Sequence, residues 1–357
     1  MSSAVYDAIV VGMGIHGSSS LAHLAMKGAS VLGIEQFSNS PSHNMGSSHG
    51  ESRIIRKAYF EDPAYVPLLE RAFGLWQELE LLTNNKLLYM TGGLMIGKPD
   101  SEVISGTLTS AKEHALRHTV FTADEIRSRF PSFSPSEGEI GVFENEAGYL
   151  LAEACVSCYQ TLARANGALI EFNLKMNGYE VIENEASKEP LIRVFTNKGI
   201  YTTKKLILAV GSWASKVYGE DLLSSEIELT VERRVSFWIQ PKEEDIEVFR
   251  SLPIYIWDSN SRDPESYSFY GFPLLAGKES EGAKIALHFP SSTAPSDSAE
   301  TPTICTPGNL LREVTAKDEQ LLRKAIRSRL PSLDGTILRT SVCSYTVTKN
   351  HHLYGPF

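Results

Sequence analysis

The sequence predicts an α/β protein with a nucleotide-binding β-α-β unit near the N-terminus and a second, strand-rich layer, the chain passing between the two. Three features carry that expectation. Residues 8–11 form a largely β-branched strand that runs into Gly12-Met13-Gly14-Ile15-His16-Gly17, after which residues 18–27 have helical character. A second apolar strand over 30–34 ends in Glu35, which completes the unit with a right-handed crossover. Far along the chain, residues 231–289 read as strands separated by Gly and Pro turns. At 357 residues the chain is long enough for two domains of unequal complexity.

Each glycine of the motif has a mechanical role. Gly12 permits the tight turn, Gly14 lets the backbone approach a pyrophosphate, and Gly17 lets helix and strand pack closely. The helix N-terminus then presents unpaired N–H groups and partial positive charge to the phosphates. Gly28 stops the helix. Glu35 lies 18 residues beyond Gly17, where a carboxylate accepts both ribose hydroxyls and repels a 2′-phosphate. Strand, turn, helix and terminal acid together point to dinucleotide binding, with NAD and FAD both open on spacing alone.

Residues 38–52 are rich in Ser, Gly and His and read as a loop that supplies turns and backbone donors. Residues 65–82 are spaced as an amphipathic helix, with Leu68, Leu69, Phe73, Leu75, Trp76 and Leu79 broadly on one side. Strands are expected around Gly92-Gly93 within 87–97 and helices over 110–130, where the chain leaves the nucleotide domain. The return is read from a helix over 151–166, strands over 168–173 and 192–195, and an apolar strand over 204–210 that meets Gly211.

Composition narrows the function classes. Apolar residues make up 42% and charged residues 22%, an ordinary globular balance. A net charge of −9 argues against a nucleic-acid or anionic-membrane partner. The sequence shows neither a run of 18 apolar residues nor a cationic leader with a cleavage site, so no membrane span or signal peptide is expected. Four cysteines fit a reducing compartment. Cys155 and Cys158 form a C-x-x-C inside a helical stretch, without the preceding strand of a redox motif, and are expected to pack rather than to bind metal; no metal site is expected.

The string Gly46-Ser47-Ser48-His49-Gly50-Glu51-Ser52-Arg53-Ile54-Ile55-Arg56-Lys57-Ala58-Tyr59 closely resembles the flavin-proximal segment of the monomeric sarcosine oxidase and pipecolate oxidase family. The resemblance runs from about Tyr6 to Thr348 and includes 205–213, similar to the family's second strand beside the adenosine of FAD. It implies a Rossmann-like FAD-binding domain over 1–88 and 147–218 and an antiparallel-sheet substrate domain over 89–146 and 219–345, with a divergent tail over 346–357. It assigns FAD contacts to Gly12, Gly14, Ile15, His16, Gly17, Glu35, Gln36, Ser47, Ser48, His49, Ser52, Arg53, Gly211 and Trp213. The segment Ser341-Val342-Cys343-Ser344-Tyr345-Thr346 resembles the family's attachment strand, which makes Cys343 the candidate for a thioether to the flavin 8α-methyl. Taken by itself, a cysteine there reads as a packed core residue.

The same resemblance places Arg56 on the substrate carboxylate, which a guanidinium fork holds bidentately, and Arg53 beside the flavin ring. Without that context, two arginines three apart read as a solvated basic face. Tyr270, Lys284 and His288 fall on strands similar to the family's active-site strands, Tyr345 matches an aromatic near substrate, and Ser52 stands where the family usually has threonine. Lys284 is implied to activate oxygen through fixed positive charge, while His288 tunes the site. The implied reaction oxidises a small secondary amino acid, such as sarcosine or L-pipecolate, to an imine that hydrolyses, and O2 becomes H2O2. A monomer in the peroxisome or cytoplasm is expected. Residues 349–357 do not resemble the family's continuation, and no C-terminal peroxisomal tripeptide is read. The alternative readings are a C-terminally shortened, catalytically impaired FAD-binding isoform, and a flavin dehydrogenase or oxidase acting on larger N-substituted amino acids.

Overall fold

The computed structural model describes residues 5–38, 42–183, 189–214, 216–217, 229–258, 268–288, 304–305, 308–350 and 352–353. The chain opens with β1 (Val5–Val11), α1 (Ile15–Met26) and β2 (Val31–Ile34). Next come β3 (Ser52–Ile55), α2 (Val66–Thr83), β4 (Leu88–Tyr89) and β5 (Gly93–Gly97). They lead to α3 (Glu102–Glu113), β6 (His118–Thr122), α4 (Ala123–Arg129), β7 (Ile140–Glu144) and β8 (Gly148–Leu151). Then α5 (Ala152–Ala165) precedes β9 (Leu169–Glu171), β10 (Met176–Ile182), β11 (Leu191–Thr196) and β12 (Gly199–Leu208). The last stretch holds β13 (Leu229–Ile239), α6 (Ile246–Ser251), β14 (Ile254–Trp257), β15 (Ser268–Gly271), β16 (Ala283–His288), β17 (Ile304–Cys305), α7 (Ala316–Arg329) and β18 (Ile337–Thr348).

The first sheet has the order β10-β11-β12-β1-β2-β9, with β12, β1, β2 and β9 parallel and β10 and β11 antiparallel. Its central strands are apolar on both faces, as a covered parallel sheet requires. Ala8 and Val10 face a cluster with Leu21, Ala22, Cys155 and Tyr159 of α1 and α5, while Ile9 and Val11 pack with Leu174 and Val194. The second sheet holds nine strands among the described residues, in the order β17-β13-β16-β15-β14-β5-β7-β6 with β18 on the free side of β13. A small sheet, β3-β8-β4, lies between them in sequence.

Side-chain alternation gives the nine-stranded sheet two unlike faces. On one, Phe237, Ile239, Phe269, Tyr255, Trp257, Ile285 and Leu287 are buried with Leu322, Ala325 and Ile326 of α7. The interleaved positions put Arg234, Ser236 and Trp238 of β13, Lys284 and Ala286 of β16, and Cys343 and Tyr345 of β18 on the opposite face, with Ser236 opposite Ala286 and Arg234 opposite Cys343.

Some elements depart from the sequence expectation. Residues 110–130 are not all helical: α3 begins at Glu102 and ends at Glu113, and β6 pairs with β7 before α4 starts. The signal for that start is a capping box, Thr122 with Glu125, of the S/T-x-x-E kind. On α2, Val66, Phe73 and Leu79 are buried, but Leu68 is 64% exposed, because it lies off the face that Val66 and Phe73 share. Strand β10 and helix α7 lie outside the elements expected from the sequence. No helix among the described residues is long and apolar enough to cross a membrane.

Candidate active site

The turn after β1 is built as its glycines demand. Gly12 has φ +93°, and a Cβ on it would lie 2.4 Å from the Ala209 carbonyl oxygen. A Cβ on Gly17 would lie 1.7 Å from the Gly12 carbonyl oxygen, so α1 packs on the turn only without a side chain there. Gly14 is the N-cap of α1 and brings no capping side chain of its own; Ser48 Oγ instead accepts from Ile15 N–H at 3.1 Å. Glu35 accepts from the N–H groups of Met13 and Phe37, and its Oε2 is 3.6 Å from His43 Nε2. Burial pushes the Glu35 carboxyl upward, but His43 and those two N–H donors outweigh it and hold the group below the ordinary carboxylate value.

A cavity of about 1450 Å³ runs from this turn to β18. Gly12, Gly14, Ile15, His16, Glu35, Gln36, Ser47, Ser48, Arg53, Gly211, Trp213 and Tyr345 line it. The sequence reading missed Ser42, His43 and the stretch from Lys175 to Tyr179, which line it too. His43 packs tilted against Phe37 with ring centres 4.4 Å apart, and Phe37 likewise against Trp213 at 5.6 Å, which frames the Glu35 end. Ser42 and His43 belong to the Ser-, Gly- and His-rich loop; for 175–179 no local pattern marks a site.

The loop 46–56 joins the cavity to the polar face of the large sheet. Ser47 Oγ donates to the Ser344 carbonyl, and Ser344 Oγ meets Ser212 Oγ at 3.3 Å. Arg53 donates to the carbonyls of Ser47, Ser52 and His49, and its Nη2 lies 4.0 Å from Cys343 Sγ. Lys284 is 1% exposed, and its Nζ donates to the Gly50 and Ser52 carbonyls at 2.5 and 2.9 Å. Its charge is further faced by the rings of Phe272 at 4.9 Å and Trp238 at 5.5 Å. Burial and then the charge of Arg53 hold the Lys284 pKa well below the ordinary lysine value, with Cys343, Glu153 and Glu51 pulling the other way.

Tyr270 and Tyr345 join their hydroxyls at 3.0 Å. Burial, with Tyr345 adding to it, pushes the Tyr270 phenol well above its ordinary value, so it stays a neutral donor. His288 ends β16 opposite Ser268, on the Lys284 face and roughly 13 Å along the strand from it. Gly17, His49, Ser52, Cys343, Arg56, Tyr270, Lys284 and His288 do not line the cavity itself. Arg56 is buried, its Nη2 donates to both oxygens of Glu61 at 3.0 and 3.1 Å while Nη1 donates to the Ala58 carbonyl, and the guanidinium lies against the Tyr59 and Phe60 rings. The turn that aims Arg56 is pinned by Glu144, which accepts from the N–H groups of Lys57 and Ala58.

The FAD dependent oxidoreductase (DAO) family matches residues 7–356. This chain belongs to that family. The match extends past Thr348, where the resemblance read from the sequence stops. The chain is 37% identical over 352 residues to monomeric sarcosine oxidase of Streptomyces avermitilis, covering 98% of this chain and 84% of that protein. It is 28% identical over 345 residues to peroxisomal sarcosine oxidase of Homo sapiens, covering 96% and 82%. Among solved structures, the open form of NikD, an amino acid oxidase essential for nikkomycin biosynthesis, matches with a TM-score of 0.78 at 21% identity, covering 96% of this chain and 82% of NikD.

The residues fit the FAD of this family of oxidoreductases. The glycine turn and the start of α1 suit the pyrophosphate, and Glu35 suits the ribose. Away from the cavity lining, Ser52 Oγ is buried without a hydrogen-bond partner among the described residues. The C-x-x-C is of a different kind. Cys155 and Cys158 are buried free thiols on α5, and burial pushes the Cys155 thiol up to about 12. No group of three or more metal-ligating side chains occurs among the described residues.

Proposed function

We propose that this oxidoreductase oxidises the C–N bond of a small secondary amino acid, such as sarcosine or L-pipecolate, with O2 as electron acceptor. The observation that carries this reading is the cluster at the β18 end of the cavity, where Arg53, Cys343, buried Lys284 and the Tyr270–Tyr345 hydroxyl pair converge. FAD, when bound, takes two electrons from the substrate and passes them to O2, giving H2O2.

The protein supplies orientation and charge. Arg56 already holds one carboxylate, that of Glu61, through Nη2; a substrate carboxylate that displaces it and meets both terminal nitrogens would be held in a fixed plane. The aromatic pair Tyr59 and Phe60 excludes water from that fork. The neutral hydroxyl of Tyr270 and its hydrogen-bonded partner Tyr345 can orient the amine, and His288 tunes the same face. Lys284 stabilises negative charge that develops on oxygen, in a dry site where such a charge interacts strongly. Cys343 is proposed as the thioether link to the flavin, with Arg53 Nη2 4.0 Å from its sulfur; the S–H proton and one 8α-methyl hydrogen would be lost as the C–S bond forms, and the two electrons would pass to the flavin and then to O2. The imine product leaves and hydrolyses in water. We further propose that the enzyme acts as a monomer in the cytoplasm or peroxisome, consistent with free thiols at Cys155, Cys158 and Cys343.

The test is an absorption spectrum before and after acid precipitation, with Cys343→Ala as control, followed by a peroxide assay with sarcosine and L-pipecolate. Flavin retained in the pellet, lost in the control, with peroxide formed on either substrate supports the reading. Flavin that bleaches with substrate under argon but yields no peroxide in air refutes O2 as the acceptor.

A further inference from the structure

Lys284 is held by two backbone carbonyls, those of Gly50 and Ser52, and the residue between them has an unusual backbone. Glu51 has φ +65°. Ser52 N–H donates back to the Gly50 carbonyl at 2.8 Å, so Glu51 is the centre of a three-residue γ-turn of the rarer, positive-φ kind. Such a conformation is strained for a residue with a side chain and persists only where the surroundings enforce it.

Glu51 carries its own enforcement. Its Oε2 accepts from the indole N–H of Trp238 at 2.7 Å and from Arg339 at 2.5 Å, and its Oε1 accepts from Lys278 at 2.7 Å. The Arg339 guanidinium lies 4.0 Å over the Trp238 ring, so one layer of charge and aromatic packs against the Lys284 pocket. From the other side Glu153, in the first turn of α5, accepts from the N–H groups of Gly50 and Glu51 at 2.6 and 3.1 Å. The bend that receives the ammonium is therefore clamped by two carboxylates from opposite sides, one of them its own.

Resting on the proposed oxygen role of Lys284, we infer that Glu51 is a positioning residue for it. Its anchored carboxylate holds the γ-turn whose flanking carbonyls aim Lys284 Nζ. The charges that bear on this lysine are then Arg53, Glu51, Glu153 and Cys343, with Lys278, Arg339 and Glu281 acting through Glu51.

Three variants of the holoenzyme separate the possibilities. Glu51→Ala loses the anchor and keeps the penalty for positive φ, Glu51→Gly loses the anchor but tolerates the turn, and Lys284→Met removes the lysine. Each is reduced anaerobically with dithionite and mixed with air-saturated buffer; reduction by sarcosine is timed separately. Reoxidation is expected to slow about tenfold in Glu51→Ala and less in Glu51→Gly, against roughly a hundredfold in Lys284→Met, with reduction by sarcosine little changed. A readout independent of turnover is the 13Cε resonance of Lys284 in lysine-labelled protein, assigned by its loss in Lys284→Met. Its titration midpoint is expected to move in Glu51→Ala. Wild-type reoxidation in Lys284→Met refutes the oxygen role itself. If Lys284→Met is slow while both Glu51 variants reoxidise as wild type, or the Lys284 resonance is unmoved, or reduction slows as much as reoxidation, Glu51 does not position the lysine. Where Glu51→Ala fails to fold, Glu51→Gly carries the same tests.

Discussion

Stability should fall with acidification in a window set by His49. The ring is buried, its Nε2 lies 3.0 Å from the Gly46 carbonyl and its Nδ1 3.3 Å from Ser341 Oγ. That arrangement suits the neutral tautomer in which Nε2 donates to the carbonyl and Nδ1 accepts from the hydroxyl. Burial, and then the charge of Arg53, lower its pKa from the ordinary 6.5 to about 4. Above the ordinary value both folded and unfolded chains carry a neutral His49, and the residue contributes nothing to the pH dependence. As pH falls below 6.5 the unfolded chain takes up a proton that the folded chain refuses, so stability declines until the pH passes about 4. At about 1.4 kcal/mol per pH unit, the full loss is about 3 kcal/mol, and roughly 2 kcal/mol of it is reached by about pH 5.

The assay is urea unfolding of wild type and His49→Gln at several pH values between about 7.5 and 5, because a glutamine amide reaches Gly46 without titrating. Carboxylates held below their ordinary values, Glu35 and Asp318 among them, lose stability only at lower pH. Glu144, whose carboxyl burial raises, works in the opposite direction. Those contributions are common to both proteins and cancel in the difference. The wild type is expected to lose about 2 kcal/mol more than His49→Gln across that range. Parallel pH profiles for the two proteins would show that the buried ring accepts its proton without cost and would sink the argument.

Other perturbations have equally defined outcomes. Gly17→Ala sets a methyl 1.7 Å from the Gly12 carbonyl oxygen and should cost about 1–3 kcal/mol together with most of the bound flavin, read from the thermal midpoint and the visible spectrum. Arg233 forks onto Asp318 and donates to the Leu311 and Glu313 carbonyls from a buried position, so Arg233→Ala should destabilise by about 3–5 kcal/mol in urea unfolding. Arg56→Lys replaces a fork by a point charge and should raise KM for the amino acid at least about tenfold, measured by steady-state peroxide release. With its thiol pushed up to about 12, Cys155 should resist iodoacetamide at neutral pH in the folded protein, as mass spectrometry of the native and urea-unfolded chain would show.

What the sequence made legible was local. The motif from Gly12 to Gly17 and the acid at Glu35 depend on neighbouring residues and a strand of four, so spacing was enough to read them. The Thr122–Glu125 capping box is equally local and marks the start of α4 within 110–130. The candidate site was harder because it is assembled across long separations. Arg53 meets Cys343 across 290 positions and Lys284 meets Gly50 across 234. In the sequence these residues are connected only by the family resemblance of three separate segments, 46–59, 282–288 and 341–346. Neither the Glu61 carboxylate on Arg56 Nη2 nor the positive φ of Glu51 has any signature in composition or period.

The same facts explain why the segment 46–59, rather than the strands it touches, identifies the site. β13, β16 and β18 need only alternate apolar and polar residues to keep one face on α7, and many sequences satisfy that demand. Loop 46–56 must meet several partners at once: Ile15 at the start of α1, Ser344 and Cys343 on β18, Lys284 on β16, and Glu153 on α5. Its backbone also needs positive φ at Gly50 and Glu51. Substitution at these contact positions disturbs a neighbouring helix or strand, so this segment, irregular up to β3, is closely constrained. The loop meets α1 and α5 beside the nucleotide turn and β16 and β18 of the large sheet, so it would set a cofactor held at that turn in register with Lys284.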